Sequence, residues 1–230
     1  MRKFLYIYLL ILLLGFSARA FAQTAAPSVP KLFLTWSSNT YVPPGFAGKI
    51  MPTANSQITA SVELIDGSKI VNLSKQNVYW YGNNNFLSGG LGMQSVAFRA
   101  PDAAGGTIDL RAEVPNYSKG SQLKTVVIPI ARPEVVIEPN FPSGRFSSSP
   151  LQLAGQPYFF NTAGPARLNF SWSVNGQTPS GTENPQNLNI KFGPTMTPGS
   201  ALSVSLSVQN TDSKFQFETA SKKVDFTYSP

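Results

Sequence analysis

Along most of the chain the apolar positions recur every second residue rather than every third or fourth. Ile58, Ala60, Val62 and Leu64 line one side of an extended segment whose other side carries Thr59, Ser61 and Glu63. Ile108, Leu110, Ala112 and Val114 alternate in the same way with Asp109, Arg111 and Glu113. Leu202, Val204, Leu206 and Val208 alternate with Ser203, Ser205, Ser207 and Gln209. Successive side chains of a strand point to opposite faces, so each segment has one dry face and one wet face. Clusters of Pro, Gly, Asn and Ser separate the segments. Strands of this kind bury their dry faces by packing sheet on sheet, which predicts an all-β sandwich architecture.

The pattern occurs twice. Asn77-Val78-Tyr79-Trp80 aligns with Asn169-Phe170-Ser171-Trp172 at an offset of 92. Phe98 aligns with Phe192, Leu110 with Val204 and Val114 with Val208 at an offset of 94. A two-residue insertion between Trp and Phe reconciles the two offsets. The chain is therefore expected to form two sandwiches, residues 23–132 and 133–230. Trp80, Trp172, Phe98 and Phe192 are the expected core anchors, since a buried indole between two sheets contributes several kcal/mol at about 25 cal/mol per Å². Between the copies, Pro133 restricts the backbone of a short connection, which predicts a semi-rigid spacer and a rod of limited bend.

The run Trp172-Ser173-Val174-Asn175-Gly176, followed by an apolar-x-Phe and a Pro/Gly turn, resembles the bacterial immunoglobulin-like and PKD-like domains of exported proteins. The first copy is similar from Asn77 to Val114, although Trp80-Tyr81-Gly82-Asn83 departs from the Trp-x-Val-Asn-Gly form. What the resemblance implies is a tandem pair of immunoglobulin-like β-sandwiches, the second of PKD-like type. It also implies the usual roles of such domains, namely spacing, adhesion and contact with protein or glycan, and it transfers no catalytic residue.

Residues 1–22 stand apart from this grammar. Arg2 and Lys3 precede an apolar run from Phe4 to Phe16, and Ala20-Phe21-Ala22 supplies small residues for cleavage, the three parts of a secretory signal peptide. The run is shorter than the roughly 20 residues a membrane-spanning helix needs, so membrane contact is expected only if this segment stays uncleaved. An extracytoplasmic location, secreted or at the cell surface, follows.

Charge then changes meaning. The 230 residues carry 18 Lys plus Arg against 11 Asp plus Glu, a formal +7. Arg2, Lys3 and Arg19 leave with the signal segment, so 15 basic residues remain and the formal charge falls to +4. Those residues are dispersed, with Lys222-Lys223 the one adjacent pair after the signal, so no nucleic-acid footprint is expected.

Composition removes further chemistry. The chain has no Cys and no His, which excludes disulfides, Cys/His zinc sites, histidine-based triads and cysteine nucleophiles. Glu134 and Glu138, like Asp109 and Glu113, lie four apart on one extended segment. Their separation of about 13 Å is too wide for a glycosidase pair within one strand. No catalytic residue, metal ligand or cofactor is expected.

Contact surfaces remain. Tyr79 and Tyr81 flank Trp80 and should face away from the core, beside Asn83, Asn84, Asn85 and Phe86. Tyrosine offers rigid apolar area and Asn offers hydrogen bonds, a composition suited to proteins and sugars. The loop from Phe141 to Phe146 is a second candidate, whereas Tyr158-Phe159-Phe160 is assigned to the second core. The expected function is a non-enzymatic spacer and interaction module contacting an envelope protein or glycan. The alternatives are a carbohydrate-binding or adhesive protein and a subunit of a surface filament.

Overall fold

The structure is a computed structural model that describes residues 29–118, 120–180, 184–193 and 196–230; the expected signal peptide lies outside them. The first half contains β1 (Lys31–Ser38), β2 (Gln57–Asp66), β3 (Lys69–Ile70), β4 (Asn77–Gly82), β5 (Asn85–Leu91), β6 (Ser95–Arg99), β7 (Thr107–Tyr117) and β8 (Gly120–Pro129). The second contains β9 (Glu134–Pro139), β10 (Arg145–Phe146), β11 (Leu151–Tyr158), β12 (Leu168–Val174), β13 (Asn187–Ile190), β14 (Ala201–Asn210) and β15 (Thr219–Tyr228).

Each half is a two-sheet sandwich of immunoglobulin-like strand order. In the first, β2 pairs with β1 on one side and with β6 and β3 on the other, against a second sheet of order β5-β4-β7-β8. In the second, a β13-β11-β9 sheet faces a sheet of order β10-β15-β14-β12. Both share the same six-strand framework and differ in what is added to it. The first sandwich adds the two-residue β3 beside β2 and β5 beside the Trp80 strand, and the second adds β10 in parallel beside β15.

The alternating segments bury as their pattern requires. Ile58, Ala60, Val62 and Leu64 are buried with Ile108, Leu110, Ala112, Val114 and a fully buried Trp80 in one core. Trp172 joins Leu202, Val204, Leu206 and Val208 in a second core that shares no residue with the first. Each indole N–H donates to a carbonyl thirteen residues downstream, Trp80 to Met93 and Trp172 to Pro185, both at 2.9 Å. A buried donor is thereby satisfied in the same manner in both copies. Gly155 on β11 makes room for Leu206 beside the second indole, since a Cβ there would stand 2.5 Å from Leu206 Cδ2.

One alignment expectation is corrected. Val96 and Leu188 are buried equivalents at an offset of 92, and Phe98 opposite Ile58 corresponds to Ile190 opposite Leu151. The two-residue insertion therefore falls between β13 and β14, not between Trp and Phe. Phe98 packs half-buried on the first core. Phe192 lies beyond the end of β13 and stacks on Phe146 at 4.7 Å, at the margin of the second core.

The junction between the sandwiches involves far more than its connection through Ala131, Arg132 and Pro133. Tyr41 N donates to Phe160 O at 2.8 Å and Phe159 N donates to Tyr41 O at 2.7 Å. The Phe46 ring meets Tyr158 and Phe159 edge-on at 5.7 and 5.9 Å. Tyr158 and Phe159 thus serve the junction, and of that triplet only Phe160 is fully buried in the second core. Phe159 has φ 61°, a left-handed conformation that strains a bulky residue, and these contacts hold it there.

At the centre of the junction lies Glu218, 2% exposed. Its Oε1 accepts from Thr53 Oγ1 at 3.1 Å and from Asn161 Nδ2 at 2.6 Å. Its Oε2 accepts from Asn161 N at 2.9 Å and Asn210 Nδ2 at 2.8 Å. A carboxylate out of water requires such a shell of donors, and here the donors come from both sandwiches. The stiffness expected from Pro133 is accordingly supplemented by a polar latch.

Candidate functional site

The outer face of the β5-β4-β7-β8 sheet gathers the expected contact residues. Because Val78 and Trp80 turn inward, Tyr79 and Tyr81 turn outward and are half-buried. Asn83 and Asn84 make the β4–β5 turn with φ 49° and 64°, values that Asn tolerates better than most residues. Asn83 is bound to β7: its N donates to Asp109 O at 3.0 Å and its Oδ1 accepts from Asp109 N at 2.9 Å. Its side chain therefore positions the hairpin. Asn84 and Asn85 stay exposed at the tip, and Phe86 is 60% exposed.

A register shift between Trp80 and Tyr81 brings Phe86 opposite Tyr81. Its ring lies 5.8 Å from Tyr81 and 6.4 Å from Tyr79. From β7, the Arg111 guanidinium covers the Tyr81 ring at 4.4 Å, a cation–π contact. Arg111 Nε is buried without a hydrogen-bond partner. Asp109 and Glu113 flank Arg111 along β7, so the charges are mixed in sign.

Sequence reasoning missed the rest of this face. Leu91, opposite Asn77, is 67% exposed; Leu123, opposite Glu113, is 61% exposed; Val127, opposite Asp109, is 59% exposed. The detectable signal was an apolar residue at a wet position, as at Val127 between Val126 and Ile128. With Phe86, these side chains share the outer face that carries Tyr79, Tyr81 and Arg111.

The other candidate loop resolves differently. Phe146 is fully buried and Phe141 packs on the second core, so the loop from Phe141 to Phe146 closes the sandwich. Of the carboxylates weighed, Glu138 accepts from Gln156 Nε2 at 3.0 Å on a solvated sheet face. Among the described residues no three of His, Cys, Asp and Glu group together as metal ligands would. Near the junction, burial first and neighbouring Tyr158 second raise the Tyr41 hydroxyl above its ordinary value of 10.0.

No protein-family model and no curated protein sequence matches the chain. Among solved structures it is similar to the three N-terminal domains of the bacteriophage RB49 highly immunogenic outer capsid protein, at 13% identity and TM-score 0.44. That match covers 87% of this chain and 59% of the phage chain, so the chain spans little more than half of it. The fibronectin(III)-like modules of Clostridium thermocellum CbhA match at 15% identity and TM-score 0.29, over 86% of this chain and 94% of theirs. A C-terminal fragment of intimin, in complex with the intimin-binding domain of its translocated receptor, matches at 15% identity and TM-score 0.29. The coverage is 89% of this chain and 64% of that one.

Proposed function

We propose that the chain is an exported, non-enzymatic interaction module whose outer β5-β4-β7-β8 face contacts a protein at the cell surface. The observation that carries this reading is that exposed Phe86, Leu91, Leu123 and Val127 share one rigid sheet face with Tyr79, Tyr81 and Arg111. Aromatic residues and Arg flanked by exposed apolar side chains are the composition of protein-contact hot spots. Export rests on the signal-peptide grammar of residues 1–22. The Trp172-Ser173-Val174-Asn175-Gly176 run, which closes a turn with positive φ at Asn175 and Gly176, supports the PKD-like character of the second sandwich.

The test is saturable binding of the labelled protein to intact cells and to protease-treated cells. Wild type should bind intact cells and lose that binding after protease treatment. A variant combining Tyr81→Ser, Phe86→Ser and Leu123→Ser should lose it while its melting temperature stays within a few degrees. Undiminished binding by the folded variant would overturn the assignment of this face. Binding that survives protease treatment would transfer the reading to a glycan partner.

A further inference from the structure

The junction also carries a cleft beside the Glu218 latch. It measures about 390 Å³ and opens between the halves, with Asn55, Gln57 and Arg99 on the first wall and Asn161, Arg167 and Phe215 on the second. Its volume lies within the usual range for small-molecule sites. Two arginines 68 positions apart in sequence, Arg99 and Arg167, line it from opposite halves. Arg99 Nη1 donates to Asn55 O at 3.0 Å, and the exposed Arg167 forms a surface ion pair with Asp212 at 3.6 Å. Asn161, on the cleft wall, is also a member of the Glu218 latch, so the cleft has its shape only while the sandwiches stay locked.

We infer that this cleft binds an acidic saccharide. Guanidinium groups take carboxylates in forked, two-bond geometry. Side-chain amides suit hydroxyl groups, and the half-buried Phe215 ring offers an apolar surface to the C–H face of a pyranose. The lining is otherwise polar and has no deep aliphatic pocket, which favours a hydroxyl-rich ligand over an apolar peptide side chain. Asp212 pairs with Arg167 and neutralises part of its charge, which leaves Arg99 as the principal acid contact.

Calorimetric titration of the purified protein with trigalacturonic acid tests the inference, with maltotriose, hexaglutamate and inorganic phosphate as parallel probes. Trigalacturonic acid should bind saturably and maltotriose should not. Arg99→Gln should weaken binding about tenfold or more, the loss expected for one charged hydrogen-bond partner. Arg99→Lys, which keeps the charge and loses the fork, should fall between wild type and Arg99→Gln. Unchanged melting temperatures confirm that these exposed positions leave the fold intact. Absence of saturable trigalacturonate binding, or equal affinity in an Arg99→Gln/Arg167→Gln variant, would overturn the site. Equal or tighter binding of hexaglutamate or phosphate would overturn its assignment to a saccharide.

Discussion

Replacing Trp172 by Phe keeps an aromatic ring in the second core but removes the donor that satisfies Pro185 O. That single change should cost about 0.5–1.5 kcal/mol for the lost hydrogen bond, since Pro185 is exposed and its carbonyl can turn to water, and Trp172→Ala about 3–5 kcal/mol because it also opens a cavity. Urea denaturation checks both. Tyr41 gives a pH-dependent counterpart. Its folded pKa is raised above 10.0, so its contribution is fully present below the unfolded value and is lost as pH rises through the folded one. Stability should therefore decline above about pH 10 more steeply in wild type than in Tyr41→Phe, as measured by urea midpoints across an alkaline series. Trp80 and Trp172 were legible as core because each sits on a dry position of an alternating segment. Their hydrogen-bond partners were not, because an indole N–H leaves no periodic trace thirteen residues downstream.

At the scale of elements, strand faces were readable and strand order was not. The dry set Ile58, Ala60, Val62 and Leu64 is a local property of β2. That β12 lies at a sheet edge while its counterpart β4 is covered by β5 depends on where the following chain travels. The edge strand β8 and the stretch of β15 beyond its short pairing with β10 also carry an unforeseen repeat. Lys124 on β8 stands opposite buried Ala112, and Lys222 on β15 stands opposite buried Leu206, so both occupy positions of inward parity and both remain exposed. Ala112 and Leu206 are themselves equivalents, each opposite its core Trp. An inward-facing Lys on an open edge opposes strand-to-strand association, because pairing would bury its charge. A Lys124→Val/Lys222→Val variant should sediment as larger species at concentrations where wild type stays monomeric. A variant as monomeric as wild type would refute this guarding role.

For the whole molecule, the decisive residues are polar and far apart. Thr53 and Glu218 are 165 positions apart, and Asn161 lies between them, 57 positions from Glu218. All three sit outside the long alternating strands, where hydrophobic periodicity carries no information, and this is why the junction and its cleft escaped the sequence reading. Pro133 was legible and suggested stiffness. The latch is what orients the first sandwich relative to the second. Glu218→Gln places an NH₂ against donors that the carboxylate oxygens now accept from, and should cost about 2–3 kcal/mol of docking energy. Small-angle scattering should then show a larger radius of gyration and a broadened distance distribution, with each core still folded. The most direct test of this architecture is the set of backbone residual dipolar couplings of the wild-type protein in one alignment medium. A single alignment tensor fitting residues of both sandwiches is the predicted result, and two tensors of clearly different magnitude would contradict it.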